Sequence, residues 1–361
     1  MKKKLVIDAR FWGPSHTGLG RYSKSLILAI EKLRPKLDIT LLANKKIKVG
    51  FKTVVVKSRP YSFKEQIEIP RIINQINPDL THFLHFNVPL QLKSPFIVTI
   101  HDLIKHHSTG KDTTTRTMLT YPIKRLAYFM TVKHALNHSS RVLTPSNWVK
   151  KDILNHYSIP ANKITVTPEA VDQTYYKIKP RQSRPLAQPY LIYVGNAYPH
   201  KNLIQLIKAV KKTSLNLIVV TGRDVFYQRL RKLIKSLNAQ SIVKIKGFTS
   251  DVDLKNLYYH SVGFITTSLF EGFGLPGLEA LASGTLVLAS KRASMPEVYQ
   301  DNAFYFNPDN LNNIVKQIKF ASNLTTLKRQ RLIQAGLKHA QQFSWAQTAE
   351  KTFLAYQAIL K

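Results

Sequence analysis

The 361-residue chain contains no cysteine, which excludes disulfides and thiolate metal sites and fits a reducing cytosol. It is also poor in acid, with 20 Asp and Glu against 54 Lys and Arg, a formal charge of +34. Long apolar runs are missing too. No uncharged stretch approaches the ~18–20 apolar residues of a membrane-spanning helix. In the opening Met-Lys-Lys-Lys-Leu-Val-Ile-Asp, Asp8 and then Arg10 break the apolar stretch far short of a secretory signal core. The expected location is cytoplasmic, either free or peripheral on the inner face of the cell membrane.

What is present is a folded-protein composition, 44% hydrophobic with aromatics throughout, at a length that suits two domains of roughly 150–200 residues. The basic excess is spread along the chain: residues 1–180 hold 30 basic and 11 acidic side chains, residues 181–361 hold 24 and 9. Such a field attracts polyanions, whether nucleotide diphosphates, anionic membranes or nucleic acid. A lysine-rich proteome accounts for the same excess. The basic residues are dispersed and no nucleic-acid-binding module is recognisable, so a nucleic-acid partner is not expected.

Short β-branched runs alternate with amphipathic helical stretches. Strands are expected over residues 5–10, 39–42, 53–57, 81–85, 96–101 and 141–144, with a helix over 20–33 placing Leu26, Ile27, Ile30 and Leu33 on one face. Residues 179–189 carry three prolines and no apolar period, a linker composition. The rhythm then restarts, with strands at 190–194, 217–221, 242–246, 262–267 and 286–289 and helices between them. This predicts an α/β protein of two Rossmann-like, doubly wound domains facing across a cleft: residues 1–178, a linker 179–189, and residues 190–342. Residues 343–361 form a last helix, with Trp345, Ala349, Phe353 and Tyr356 on a stripe that can return to the first domain.

The strongest constellation is Ser268-Leu-Phe-Glu271-Gly-Phe-Gly-Leu-Pro276-Gly-Leu-Glu279-Ala-Leu-Ala. A strand ends just before it, glycines 272 and 274 allow close backbone approach to a ligand, and Pro276 suits the first turn of a helix whose N-terminus favours an anion. Glu271 and Glu279 can reach different parts of one extended ligand. They can equally be a loop anchor and a carboxylate favoured by the helix dipole.

This Glu-x7-Glu pattern resembles the signature of the family-4 retaining glycosyltransferases of the GT-B type. Further segments agree in order: Gly18-Leu-Gly20-Arg-Tyr22, His101-Asp102-Leu103, Thr144-Pro-Ser146, Val166-Thr-Pro168-Glu-Ala-Val-Asp172, Tyr193-Val-Gly195-Asn196, Lys201-Asn202, Ser294-Met-Pro296-Glu297 and Phe343-Ser-Trp345. The resemblance spans nearly the whole chain. It implies sugar transfer from a GDP- or UDP-linked donor to a glycan or lipid-linked acceptor, as in surface polysaccharide or glycolipid synthesis, with the donor held mainly by the second domain. It assigns the ribose hydroxyls to Glu279, the transferring sugar to Glu271 with the amides of Gly272, Phe273, Gly274 and Leu275, and the donor phosphates to Lys201. It sets His101 against the donor sugar, so that His101, Lys201 and Glu271 form the catalytic group. Gly18 and Gly20 are expected to let the first domain approach the diphosphate.

The chemistry fits these roles. Breaking a glycosyl–phosphate bond builds negative charge on the leaving diphosphate and oxocarbenium character on the sugar, so a preorganised lysine and helix terminus stabilise the transition state. The family mechanism implies that the leaving phosphate takes the acceptor proton on the same face, retaining configuration. One departure stands out: many relatives have arginine directly after the glycine matching Gly195, and here that residue is Asn196. Arg223, at the next strand end, is the candidate replacement. Asp251-Val-Asp253 resembles a metal-binding D-x-D, but it opens a helix and reads more simply as capping, so no metal and no other cofactor is expected. A same-fold nucleotide-sugar epimerase or phosphorylase is the alternative activity. Finally, residues 116–138 interleave Met118, Leu119, Tyr121, Ile123, Leu126, Phe129 and Val132 with Arg116, Lys124, Arg125, Lys133 and His134. That reads either as a basic amphipathic helix for an anionic membrane or as a core helix with a solvated basic face.

Overall fold

The computed structural model describes residues 2–13, 17–108, 120–177, 179–222 and 225–361. The chain folds as two compact units, one comprising Met1–Leu103, Arg116–Glu169 and Trp345–Lys361, the other Ile104–Thr115 and Ala170–Ser344. In chain order the elements up to the first unit's last strand are β1 (Lys4–Asp8), α1 (Thr17–Lys32), β2 (Asp38–Ala43), β3 (Lys52–Val55), α2 (Glu65–Ile76), β4 (Leu80–Phe83), β5 (Phe96–Thr99), α3 (Ile104–His107), α4 (Thr120–His138), β6 (Arg141–Thr144), α5 (Asn147–His156) and β7 (Ile164–Val166). Then come α6 (Thr174–Lys177), β8 (Tyr190–Val194), α7 (Leu203–Val210), β9 (Asn216–Val220), α8 (Val225–Ser236), β10 (Val243–Lys246), α9 (Asp251–Tyr259), β11 (Gly263–Thr266), α10 (Leu275–Ala282), β12 (Val287–Ser290), α11 (Met295–Tyr299), β13 (Ala303–Phe306), α12 (Leu311–Ser322), α13 (Thr326–Ala340) and α14 (Trp345–Gln357).

Among the described residues the strands form two parallel sheets, ordered β3-β2-β1-β4-β5-β6-β7 and β10-β9-β8-β11-β12-β13. Both reverse their winding direction after the third strand outward, between β1 and β4 and between β8 and β11. These are the switch points at whose carboxyl ends doubly wound sheets hold ligands. The two-residue period of the strands divides each core into two layers. Along β1, Leu5 and Ile7 pack with α1 and α14 residues such as Leu26, Ile30 and Tyr356, while Val6 faces Ile69 and Ile73 of α2 and Val132 of α4. Along β8, Leu191 and Tyr193 meet Leu206, Ile207 and Val210 of α7, while Tyr190 and Ile192 meet Leu257 of α9 and Leu278 of α10.

Two strands lie outside the sequence expectation. β7 and β13 close the outer edges of their sheets, and each is three or four residues long with mostly half-buried side chains, too short to show a period. α1 begins at Thr17 rather than 20, which puts Gly18 and Gly20 inside its first turn. α14 belongs to the first unit, where Trp345 meets the Tyr22 ring edge-on at 5.8 Å.

Candidate active site at the strand ends

In the second unit the loops leaving β8 and β11 are stapled together. The Leu269 N–H donates to His200 O at 2.8 Å, and the Thr267 hydroxyl reaches Lys201 O at 2.9 Å and Asn202 O at 3.1 Å. This fixes the short 3-10 turn Pro199–Lys201, after which Asn202 takes a left-handed conformation (φ 54°) to start α7. The result aims Lys201 at Glu271: Nζ lies 2.6 Å from Oε1, with both side chains less than one-fifth exposed. Ser268 Oγ donates to the same carboxylate oxygen at 2.8 Å, and Ser294 Oγ donates to the Glu271 carbonyl at 2.9 Å. Burial by itself would raise the Glu271 pKa, but the charge and hydrogen bond of Lys201, with the Ser268 hydrogen bond, outweigh it and hold the carboxyl below its ordinary range. Burial, reinforced by Lys201, pushes His200 down to about 4, so it is neutral beside the pair.

The glycine loop is shaped by a tyrosine. Gly274 has φ 97° and caps α10, and the Tyr299 hydroxyl donates to its carbonyl at 2.6 Å. A Cβ at Gly274 or at Gly277 would come within 2.4 Å of that side chain, so glycine is needed at both positions. Phe273 turns its ring into the core, 5.8 Å from Phe343, leaving only its backbone for a ligand. Glu279 is buried one turn into α10. Gly195 adopts φ 146° and donates to Val220 O at 3.0 Å, which brings the β8 and β9 ends together. The Asn196 amide oxygen lies toward Gly222 on the β9 side, 3.8 Å from where a Cβ would stand. Arg223 lies outside the described residues. In the D-x-D segment, Ser250 is the cap: its hydroxyl accepts from Asp253 N at 3.1 Å and donates to the Asp253 carboxylate at 2.7 Å.

In the first unit His101 leaves the end of β5 with both ring nitrogens facing acceptors, Nε2 at 3.0 Å from Leu84 O and Nδ1 at 3.2 Å from Glu169 Oε1. Burial opposes its charge, yet the Glu169 hydrogen bond and carboxylate raise its pKa above the ordinary value. Tyr22 of α1 packs edge-on against the ring at 4.5 Å. Behind it a buried chain of polar contacts runs from the Tyr22 hydroxyl to Thr99 (3.3 Å), from Thr99 to His82 (2.9 Å) and from His82 to Tyr356 of α14 (2.7 Å). Gly20 is required by the fold itself, since a Cβ there would meet Gly13 O at 1.9 Å, whereas a Cβ at Gly18 would meet none of the described residues within 4 Å.

Two groupings carry no signal in the sequence. Glu169 stands in a quoted motif but carries no pairing signal, being 68 residues from His101. Asp8 and Arg10, read only as interruptions of an apolar run, form a buried ion cluster at the end of β1. Arg10 contacts Asp8 and, from α2, Glu65, each at 2.7 Å, and Asn87 donates to Glu65 at 2.7 Å. Partner charges on both sides keep this arginine ionised despite burial.

Comparison with known proteins gives these strand-end groups a context. The family described as "Glycosyltransferase Family 4" matches residues 33–175, and that described as "Glycosyl transferases group 1" matches residues 176–339. The chain is similar to the O-antigen chain mannosyltransferase RfbU of Salmonella typhimurium, 26% identical over 84% of this chain and 87% of that one. It is also similar to the O-antigen chain mannosyltransferase B of Escherichia coli, 28% identical over 66% of each chain. Its fold matches sucrose-phosphate synthase of Thermosynechococcus elongatus with a TM-score of 0.80, at 17% identity and 99% coverage of both. The two matched families tile the chain from residue 33 to 339 without a gap, one on each side of the residue 175/176 junction, and the chain belongs to the family-4 glycosyltransferases of GT-B type.

Proposed function

We propose that this glycosyltransferase moves a mannosyl or related hexosyl group from a nucleoside-diphosphate donor to a growing glycan or lipid-linked glycan of a cell-surface polysaccharide, with retention of configuration and without a metal. The observation that carries the donor assignment is the Lys201–Glu271 pair, 2.6 Å apart beside the glycine-shaped start of α10. A carboxylate accepts sugar hydroxyls and an ammonium offsets phosphate charge, so this pair is suited to straddle the glycosyl–phosphate bond. The positive end of α10 favours the same anion. Glu279, on the same helix, is assigned to the ribose hydroxyls. Within the first unit, Gly18, exposed in the first turn of α1, and His101 are the candidates for contacting a sugar nucleotide. With its pKa raised by Glu169, a protonated His101 is an electrostatic partner for a developing phosphate charge. The mannosyl assignment draws on the names of the similar O-antigen enzymes.

The test is a thermal-shift screen of GDP, UDP, GDP-mannose and UDP-hexoses, followed by product analysis with and without acceptor. A ligand at a hundred times its dissociation constant adds about 2.7 kcal/mol of stability. The expected result is stabilisation by one diphosphate series, transfer that persists in chelator, and an axial anomeric product from an axial donor. Absence of any diphosphate effect, or an inverted product, overturns the reading.

A further inference from the structure

The first unit leaves large apolar side chains exposed in two places, on elements that flank one loop. At the start of α2, Phe63 is 95% exposed and Ile67, one turn further on, is 74% exposed. On α4, Ile123, Leu126 and Met130 are 71%, 62% and 53% exposed at three- and four-residue spacing. The opposite side of α4 already serves the core through Tyr128, Val132, Ala135 and Leu136. α4 is thus apolar on both faces, and core packing accounts for only one of them.

The residue 84–92 loop joins the two places. Leu90 N donates to Gln66 of α2 at 2.9 Å, while the Phe86 ring contacts Tyr61 at 6.1 Å and Tyr128 of α4 at 5.1 Å. The charge around both ridges has one sign. Lys57, Arg59, Lys64 and Arg71 stand exposed around Phe63 and Ile67, and Lys124 and Lys133 stand exposed on α4. Acids do not offset them. Glu65 is buried against Arg10, Glu68 is tied to the Lys57 and Ser58 backbone N–H groups, and α4 contains no acidic residue. Apolar side chains that stand clear of the surface between cations fit the boundary of an anionic bilayer, where acyl chains receive the first and lipid headgroups the second.

We propose that the first unit docks on an anionic lipid bilayer through Phe63 and Ile67 of one ridge and Ile123, Leu126 and Met130 of the other. Attachment of this kind is superficial, and among the described residues no helix is long and apolar enough to cross a membrane. It would hold the enzyme beside a lipid-linked acceptor. The vesicle readout needs no sugar transfer, so its failure leaves the proposed activity standing.

The experiment is co-sedimentation of the full chain with vesicles of phosphatidylcholine and phosphatidylglycerol, and with phosphatidylcholine alone, at 0.15 M salt. Binding is expected to the first and far weaker to the second. Two variants, Phe63→Ser with Ile67→Ser, and Ile123→Ser with Leu126→Ser and Met130→Ser, are each expected to weaken partitioning by about tenfold, as loss of one well-buried apolar side chain would. Lys232→Glu with Lys235→Glu, on exposed positions of α8 in the other unit, is expected to change it less than about twofold. The substituted positions are exposed, so the variants should keep the wild-type unfolding midpoint. The proposal is overturned if anionic vesicles leave the protein in solution, if the α8 variant loses as much binding as the ridge variants, or if the ridges instead support a concentration-dependent dimer without vesicle binding.

Discussion

At the scale of single residues, the site is built from pairs in which one member sets the protonation state of the other: Lys201 that of Glu271, and Glu169 that of His101. Lys201 keeps Glu271 ionised in a largely dry position, so Lys201→Ala does more than delete a charge. It strands the carboxylate, whose pKa should rise as burial takes over. Expected outcomes are a kcat/KM loss of about 10²–10³ and a stability loss of about 1–3 kcal/mol in urea titrations. Glu271→Gln should lose comparable activity with a destabilisation of similar size, because it leaves the Lys201 ammonium without its counter-charge. The His101–Glu169 pair has the opposite sign. A histidine whose folded pKa is raised adds stability that is complete below its unfolded value near 6.5 and fades as pH climbs through the folded value. Glu169→Gln should therefore lower the His101 midpoint in an NMR titration and flatten that alkaline decline. An unchanged midpoint would show that Glu169 does not hold the proton. Both Lys201 and Glu271 were legible in the sequence because a motif carries them. Glu169 and the Asp8–Arg10–Glu65 cluster were not, because their meaning lies in partners brought close only by the sheet.

At the scale of elements, glycines separate what the fold needs from what a ligand would need. Gly20 lies under the Gly13 and Phe11 carbonyls, so Gly20→Ala should destabilise by about 1–3 kcal/mol through overpacking, seen as a lowered Tm. At Gly18 none of the described residues lies within 4 Å of the place a methyl group would take, and the residue sits in a helical turn. Gly18→Ala should therefore leave stability unchanged or raise it by up to about 1 kcal/mol. If the donor diphosphate lies over that turn, the same substitution raises the donor KM several-fold; unchanged kinetics would remove Gly18 from the site. The sequence rhythm revealed the central strands because a sheet covered on both faces demands uninterrupted apolar runs such as Leu5-Val-Ile and Leu191-Ile-Tyr. It missed β7 and β13, which lie at sheet edges and carry no such demand. It also read α4 as having one apolar face, because helical spacing in a sequence cannot say which of two apolar stripes is covered.

For the molecule as a whole, acid response should be set by histidines that the fold keeps neutral in both units. His82, fully buried between Tyr356 and Thr99, is pushed down to about 3 mainly by burial, and His200 in the second unit to about 4. For a base with a depressed folded pKa, the unfolded chain takes up a proton near 6.5 that the folded chain refuses. Stability is therefore complete above that value and is lost as pH falls toward the folded one. Each such group steepens the decline by at most about 1.4 kcal/mol per pH unit. Glu271, with its own pKa held low, adds a further loss once pH drops below about 4.5. Urea unfolding between pH 8 and 4 should show this decline, and His82→Gln should reduce its slope while costing about 1–3 kcal/mol at neutral pH from imperfectly replaced buried hydrogen bonds. With two units the transition need not be two-state, so the first unit is best followed through Trp345 fluorescence in a chain with Trp12 and Trp148 replaced by Phe. If the slope reported by Trp345 is the same with and without His82, the acid sensitivity of the first unit resides elsewhere, and the buried chain from α14 to His101 is held by packing instead of by a neutral imidazole.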